Sequence, residues 1–115
     1  MKARFELRKA TNGKFMFNLI AANQEIILTS QMYASKQNAK DGIASVVENA
    51  VLDERYGEKV DTAGKPYFVL HAGNKLVIGR SEMYASRAAM LKGIASVKRN
   101  APAAQTIDTS AMVEV

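Results

Sequence analysis

The chain carries one stretch twice, and that duplication limits its architecture more than any other feature. Residues 30–50 read SQMYASKQNAKDGIASVVENA and residues 81–101 read SEMYASRAAMLKGIASVKRNA. A shift of 51 positions superimposes Ser30, Met32, Tyr33, Ala34 and Ser35 on Ser81, Met83, Tyr84, Ala85 and Ser86. It also superimposes 42–46 on 93–97 and Asn49-Ala50 on Asn100-Ala101. Self-similarity of this kind marks a supersecondary unit that needs its neighbour to bury a shared core. A chain of 115 residues fits one domain, and half of it is near the size at which a core becomes marginal. The expectation is a single domain of two repeats, about 3–54 and 55–108, with 109–115 a flexible tail.

The chain has no cysteine, which removes thiolate chemistry, disulfides and cysteine zinc sites. The opening MKARFELRK interleaves charge with apolar residues and has no signal-peptide core, and no run approaches the roughly 18–20 apolar residues of a membrane helix. A soluble, cytoplasmic protein with no membrane association is expected. The net charge of +5 is uneven: between residues 63 and 107 seven lysines and arginines face Glu82 alone. Asymmetry of this kind points to an anionic partner, although charge on a small domain also serves solubility.

Phe5 and Leu7 alternate with Arg4, Glu6 and Arg8, the period of a half-buried strand. Asn12-Gly13 between two apolar runs predicts a hairpin turn, because both residues tolerate positive φ. Phe15, Phe17 and Leu19 then share one face of a second strand, opposite Met16, Asn18 and Ile20. Ala22-Asn23-Gln24 turns the chain into a third strand over Glu25–Thr29, completing an antiparallel meander. Ser35 is the natural N-cap of the helix that follows. Ala39, Ile43, Val46 and Ala50 form its apolar stripe. Gly42 lies on the same stripe, which implies close approach by another element. Val51-Leu52 is expected to begin a strand closing the first copy, and Arg55–Val60 to begin the second. Copy two repeats the plan with strands at 67–71 and 76–80, a helix after Ser86 with Met90, Ile94, Val97 and Ala101 as its stripe, and a short last strand at 105–107.

These elements together are similar to the YegP-like family of uncharacterised small tandem-repeat proteins. The residues that carry the resemblance are Gly13-Lys14, Ala21-Ala22-Asn23, Ser30/Tyr33/Ser35 and Gly42-Ile43-Ala44-Ser45-Val46. Their partners are Gly64-Lys65, Ala72-Gly73-Asn74, Ser81/Tyr84/Ser86 and Gly93-Ile94-Ala95-Ser96-Val97. The resemblance spans about residues 3–108. It implies an α+β fold in which tandem β3-α-β repeats form one continuous antiparallel sheet, with two helices on one face and the strand after each helix exchanged into the other repeat. Leu28 stands where copy two has Gly79, a small departure from exact repetition. The resemblance implies no reaction, cofactor or catalytic residue.

Two readings attach to the corner before each helix. A helix N-terminus offers free N–H groups to an anion, and Tyr33, Ser35 and Lys36, with Tyr84, Ser86 and Arg87, are the candidate anion-binding residues. The simpler reading makes the serines caps and the tyrosines plugs of the corner. His71, the single histidine, lacks a carboxylate or nucleophile beside it and is expected at the surface, on the sheet face away from the helices. Asp53, Glu54, Glu58 and Asp61 are expected to be solvated charges on a strand edge rather than a metal site. On that same open face, Met16, Asn18, Ile20, Tyr67, Val69 and His71 make an apolar patch that suggests a protein partner or self-association.

The expected function is that of a non-enzymatic binding module, a monomer with internal pseudo-twofold symmetry, using neither metal nor cofactor. Its anionic partner, such as nucleic acid, would be approached through Arg87, Lys92, Lys98 and Arg99. A protein-interaction or oligomerisation role through the sheet is the alternative.

Overall fold

A computed structural model describes residues 2–110. The first repeat supplies β1 (Arg4–Lys9), β2 (Phe15–Ile20), β3 (Ile26–Thr29) and α1 (Lys36–Asn49). The second supplies β4 (Tyr56–Val60), β5 (Pro66–His71), β6 (Val77–Arg80), α2 (Arg87–Asn100) and β7 (Gln105–Asp108). Among the described residues no helix is long and apolar enough to cross a membrane.

All seven strands form one mixed sheet in the order β4-β5-β6-β3-β2-β1-β7. Neighbours are antiparallel except β7, which runs parallel to β1. The sheet is therefore not antiparallel throughout: β7 must reach the far edge after a helix, and a crossover of that kind delivers a parallel strand. The two repeats meet at Thr29 and Arg80, which pair across β3 and β6 and are 51 positions apart in sequence. One row of directly paired residues crosses the whole sheet: Gly57, Val69, Arg80, Thr29, Asn18, Glu6 and Ile107.

The exchange of strands is observed in one direction only. The strand after α2 joins the first repeat, whereas the expected strand at Val51-Leu52 does not form. A turn and a short 3-10 segment, Asp53–Arg55, lead from α1 directly into β4. Tyr56 holds this corner, its hydroxyl donating to the Ala50 carbonyl at 2.7 Å. The first hairpin forms at Asn12-Gly13 as expected. Gly13 alone takes positive φ, and Asn12 instead accepts a hydrogen bond from the Lys14 amide at its side-chain oxygen. In the next turn of each repeat the left-handed residue is Gln24 or Lys75, while Asn23 and Asn74 accept from the amides two residues on.

Both predicted helix stripes are buried, and they join Phe5, Phe17, Leu19, Phe68 and Leu70 in one core. The opposite face is less open than its pattern suggests. Asn18, Ile20 and Val69 are all buried there, and Thr29 donates its hydroxyl to the Asn18 side-chain oxygen. Their cross-strand neighbours are long polar side chains, Arg4 beside Ile20, Glu6 beside Asn18 and Arg80 beside Val69. Aliphatic stems of this kind cover apolar surface while their heads stay in water. Arg4 ties down its part of the cover by pairing with Glu6 at 2.8 Å and donating to Gln24. Thr109 is fixed to the Leu7 carbonyl through both its amide and its hydroxyl, so the tail is anchored at its start. The rest of the expected flexible tail, 111–115, lies outside the described residues.

Candidate functional site

The two helix corners are built alike, from the backbone outward. Ser30 follows β3, and its side-chain oxygen accepts from the Phe17 amide at 2.9 Å while donating to the Gln31 carbonyl. Ser81 does the same for Phe68 and Glu82. Three residues later, Tyr33 and Phe15 exchange two backbone hydrogen bonds. In copy two Tyr84 donates to Pro66, which has no N–H to return. Ser35 and Ser86 then cap the helices, accepting from the amides of Asn38 and Ala89 at 3.0 and 3.1 Å.

Each tyrosine turns inward. Tyr33 stacks on Phe17 with ring centres 6.1 Å apart, and Tyr84 stacks on Phe68 at 6.3 Å. Their hydroxyls lie against the Cα atoms of Gly42 and Gly93, in the volume a β-carbon would fill. The element whose close approach the mid-helix glycines permit is thus the tyrosine of the same corner. Burial pushes both phenols up from their ordinary pKa.

Both candidate cations are engaged by carboxylates of the chain. Lys36 pairs with Asp108 of β7 at 3.1 Å. Arg87 holds Glu58 of β4 with two hydrogen bonds, Nε at 2.8 Å and Nη2 at 3.1 Å. Those bonds lower the Glu58 pKa and raise that of Arg87. An external anion at Lys36 would meet the Asp108 carboxylate, and one at Arg87 would have to share the guanidinium with Glu58. Tyr, Ser and the cation share each corner as expected, but the tyrosine faces the core and the serine oxygen faces the helix amides.

The remaining basic residues of α2 separate into two kinds. Lys98 pairs with Asp53 and lies over the Tyr56 ring, 5.6 Å from its centre. Lys92 and Arg99 are exposed, seven residues apart on one face. Their equivalents in α1, 51 positions earlier, are Asp41 and Glu48. The two helices therefore present opposite charge from corresponding positions, a contrast readable from the aligned copies. The pairings of Lys36, Arg87 and Lys98 had no such signal, since their acids lie 72, 29 and 45 positions away.

His71 is half-buried, its Nδ1 3.2 Å from the Arg55 carbonyl oxygen. The acids do not converge: Asp53 and Glu58 are paired as above, and Asp61 accepts from the amides of Ala63 and Lys65 in a turn. Among the described residues no group of three or more His, Cys, Asp or Glu is placed to hold a metal ion.

Comparison with known proteins agrees with this duplicated architecture. The family described as "Domain of unknown function (DUF1508)" matches twice, over residues 10–56 and 61–108. A UPF0339 protein of Bordetella pertussis is 56% identical over 100 residues, covering 87% of this chain and 90% of that relative. The UPF0339 protein YegP of Escherichia coli is 50% identical over 96 residues, covering 84% and 87%. The solution NMR structure of E. coli YegP superimposes with a TM-score of 0.92 at 44% identity, covering 98% of this chain and 97% of that one. That of a UPF0339 protein from Shewanella oneidensis gives 0.90 at 42%, covering 97% and 95%. With both repeats matched and the fold shared along nearly its whole length, the chain belongs to the DUF1508 family of YegP-like UPF0339 proteins.

Proposed function

We propose that the protein is a non-enzymatic binding module whose second repeat contacts the phosphate backbone of a nucleic acid through the outer face of α2. The carrying observation is the charge contrast between the helices. The α2 sequence contains no acidic residue, and its exposed Lys92 and Arg99 stand where α1 has Asp41 and Glu48. Seven residues of helix rise about 10 Å, a span over which two cations can reach successive phosphates of one strand. Contacts of this kind position a backbone without reading its bases. Arg87 and Lys98, committed to Glu58 and Asp53, contribute less. We read the antiparallel pairing of Thr29 with its own equivalent, Arg80, as the centre of an internal pseudo-twofold. On that reading the two helices are equivalent elements of unlike charge.

Titration of a fluorescent single-stranded oligonucleotide at several salt concentrations tests this. Affinity should fall steeply as salt rises, because phosphate contacts release counterions. Lys92→Glu with Arg99→Glu should abolish binding, and Asp41→Lys with Glu48→Arg should strengthen it by giving α1 the same face. Binding indifferent to salt, or unchanged in the α2 double variant, removes the proposal.

A further inference from the structure

The two ends of the sheet are not finished alike. β1 is covered on its outer side by β7, in the register Arg4↔Gln105, Phe5↔Thr106, Glu6↔Ile107 and Leu7↔Asp108. Its equivalent in the second repeat, β4, ends the sheet with no strand beyond it among the described residues. A strand edge of this kind is a template for another chain unless something blunts it. β4 is short and charged at Glu58 and Lys59, which gives partial protection.

The flanking helix carries the equivalents of the residues that meet β7 in the first repeat. There, Lys40 and Ile43 of α1 line a cleft with Thr106 and Asp108 of β7, and Lys36 holds the Asp108 carboxylate. The equivalent α2 residues are Leu91, Ile94 and Arg87. Leu91 replaces a lysine and is 40% exposed, although it sits on the shelf that a covering strand would use. Val60, at the end of the edge, is also exposed, beside a cavity of about 380 Å³ lined by Glu58, Pro66, Arg87 and Met90. Arg87 binds Glu58 through Nε and Nη2. A guanidinium has five N–H groups in a planar fork, so its Nη1 side can take a second carboxylate.

We propose that the outer edge of β4 accepts an extended segment of a partner protein as an eighth strand, parallel to β4, with an apolar residue on the Leu91–Ile94 shelf and an acidic residue two positions later on Arg87. The template is β7 on β1, transferred by 51 positions. The guest residue opposite Tyr56 takes the place of Thr106, and the one opposite Glu58 takes the place of Asp108. Because Leu91 stands for Lys40, the shelf selects an apolar guest residue where β7 has threonine. Main-chain bonds along the edge supply affinity and the two side chains supply selectivity, as in other strand additions.

The probe is a blocked peptide with the sequence of residues 104–110 carrying Thr106→Val, titrated into the full chain and followed by amide chemical shifts. Saturable shifts confined to residues 55–60 and 87–94 are expected, with β1 and β7 unmoved. Asp108→Asn in the peptide should weaken binding about fivefold, as for loss of an exposed ion pair. Arg87→Glu in the protein should abolish binding, whereas Arg87→Lys should retain part of it. Three outcomes overturn the proposal: no shifts at millimolar peptide, equal affinity for the aspartate and asparagine peptides, or shifts on the β1–β7 side. Concentration-dependent association of the chain alone, with the same β4 amides moving, makes a second copy the occupant and likewise overturns a foreign partner.

Discussion

Leu28 occupies the space beside Gly79: a β-carbon at position 79 would lie 2.8 Å from both Cγ and Cδ2 of Leu28. The two positions are equivalents in the duplicated sequence and sit at the seam between the repeats, flanking the Thr29–Arg80 pair. Two leucines there would collide, and two glycines would leave a hole in a core packed at crystal-like density. Divergence of the copies at this one core position thus makes a single seam out of two like surfaces.

Gly79→Ala is therefore expected to destabilise the protein by about 1–3 kcal/mol through overpacking. The same change in a Leu28→Ala background should cost much less, since the colliding atoms are gone. Urea unfolding of the four proteins in this cycle measures the coupling. Equal cost in both backgrounds would show that Leu28 is not what confines position 79.

Gly42→Ala pits helix propensity against packing. Alanine in mid-helix gains about 1 kcal/mol over glycine, but its β-carbon would overlap the Tyr33 phenol and come within 3.1 Å of Phe17. The ring is held between Phe17 and the helix, so it cannot give way freely. Net destabilisation of about 1–3 kcal/mol is expected, with Gly93→Ala behaving alike through Tyr84. Replacing Tyr33 by leucine should reverse the sign, making Gly42→Ala neutral or stabilising. Thermal melts of the single and double variants decide.

Asp108 links pH to the docking of β7. Its pKa is lowered from 3.8 to about 2, first by the Ser110 hydroxyl and amide and then by Lys36. A carboxylate whose folded pKa is depressed contributes stability that is present above its unfolded value, near 4, and is lost as pH falls through the folded value. The contribution should disappear between about pH 4 and pH 2. Carbon-detected titration of the Asp108 carboxyl should find a midpoint near 2, moved upward by Ser110→Ala and less by Lys36→Gln. A midpoint near 4 in the native protein would show that these contacts are not kept in solution.

Much of this was legible in the sequence because it is local or periodic. Both helices, their caps at Ser35 and Ser86, the buried stripes and all seven strands, the short last one at 105–107 included, follow from local spacing, and the duplication supplied the two repeats. What was not legible depends on distant partners. Asp108 meets Lys36 across 72 residues, and the β1–β7 pairing spans about a hundred. The Val51-Leu52 error has a related cause: apolar residues after a helix suit a strand locally, but α1 leads directly into β4 through the Tyr56 corner. The corner residues were found as a group, yet their roles were set by the stacking of Tyr33 on Phe17 and by which carboxylate reached each cation.

The serines that open the two corners allow a comparison within one molecule. Ser30 and Ser81 make the same pair of hydrogen bonds, accepting from a β-strand amide and donating to the next carbonyl. They differ in burial, Ser81 being 4% exposed and Ser30 partly accessible. Serine to alanine removes the acceptor and leaves the amide of Phe17 or Phe68 without it. Water can compensate at the first site but not at the second, where an unsatisfied buried donor costs about 1–3 kcal/mol. Ser81→Ala should therefore lower stability clearly more than Ser30→Ala, and only the former should speed hydrogen exchange at the neighbouring β5 amide, Phe68. Equal losses at the two positions would place the serines' contribution in the loop conformation they share, not in the burial that separates them.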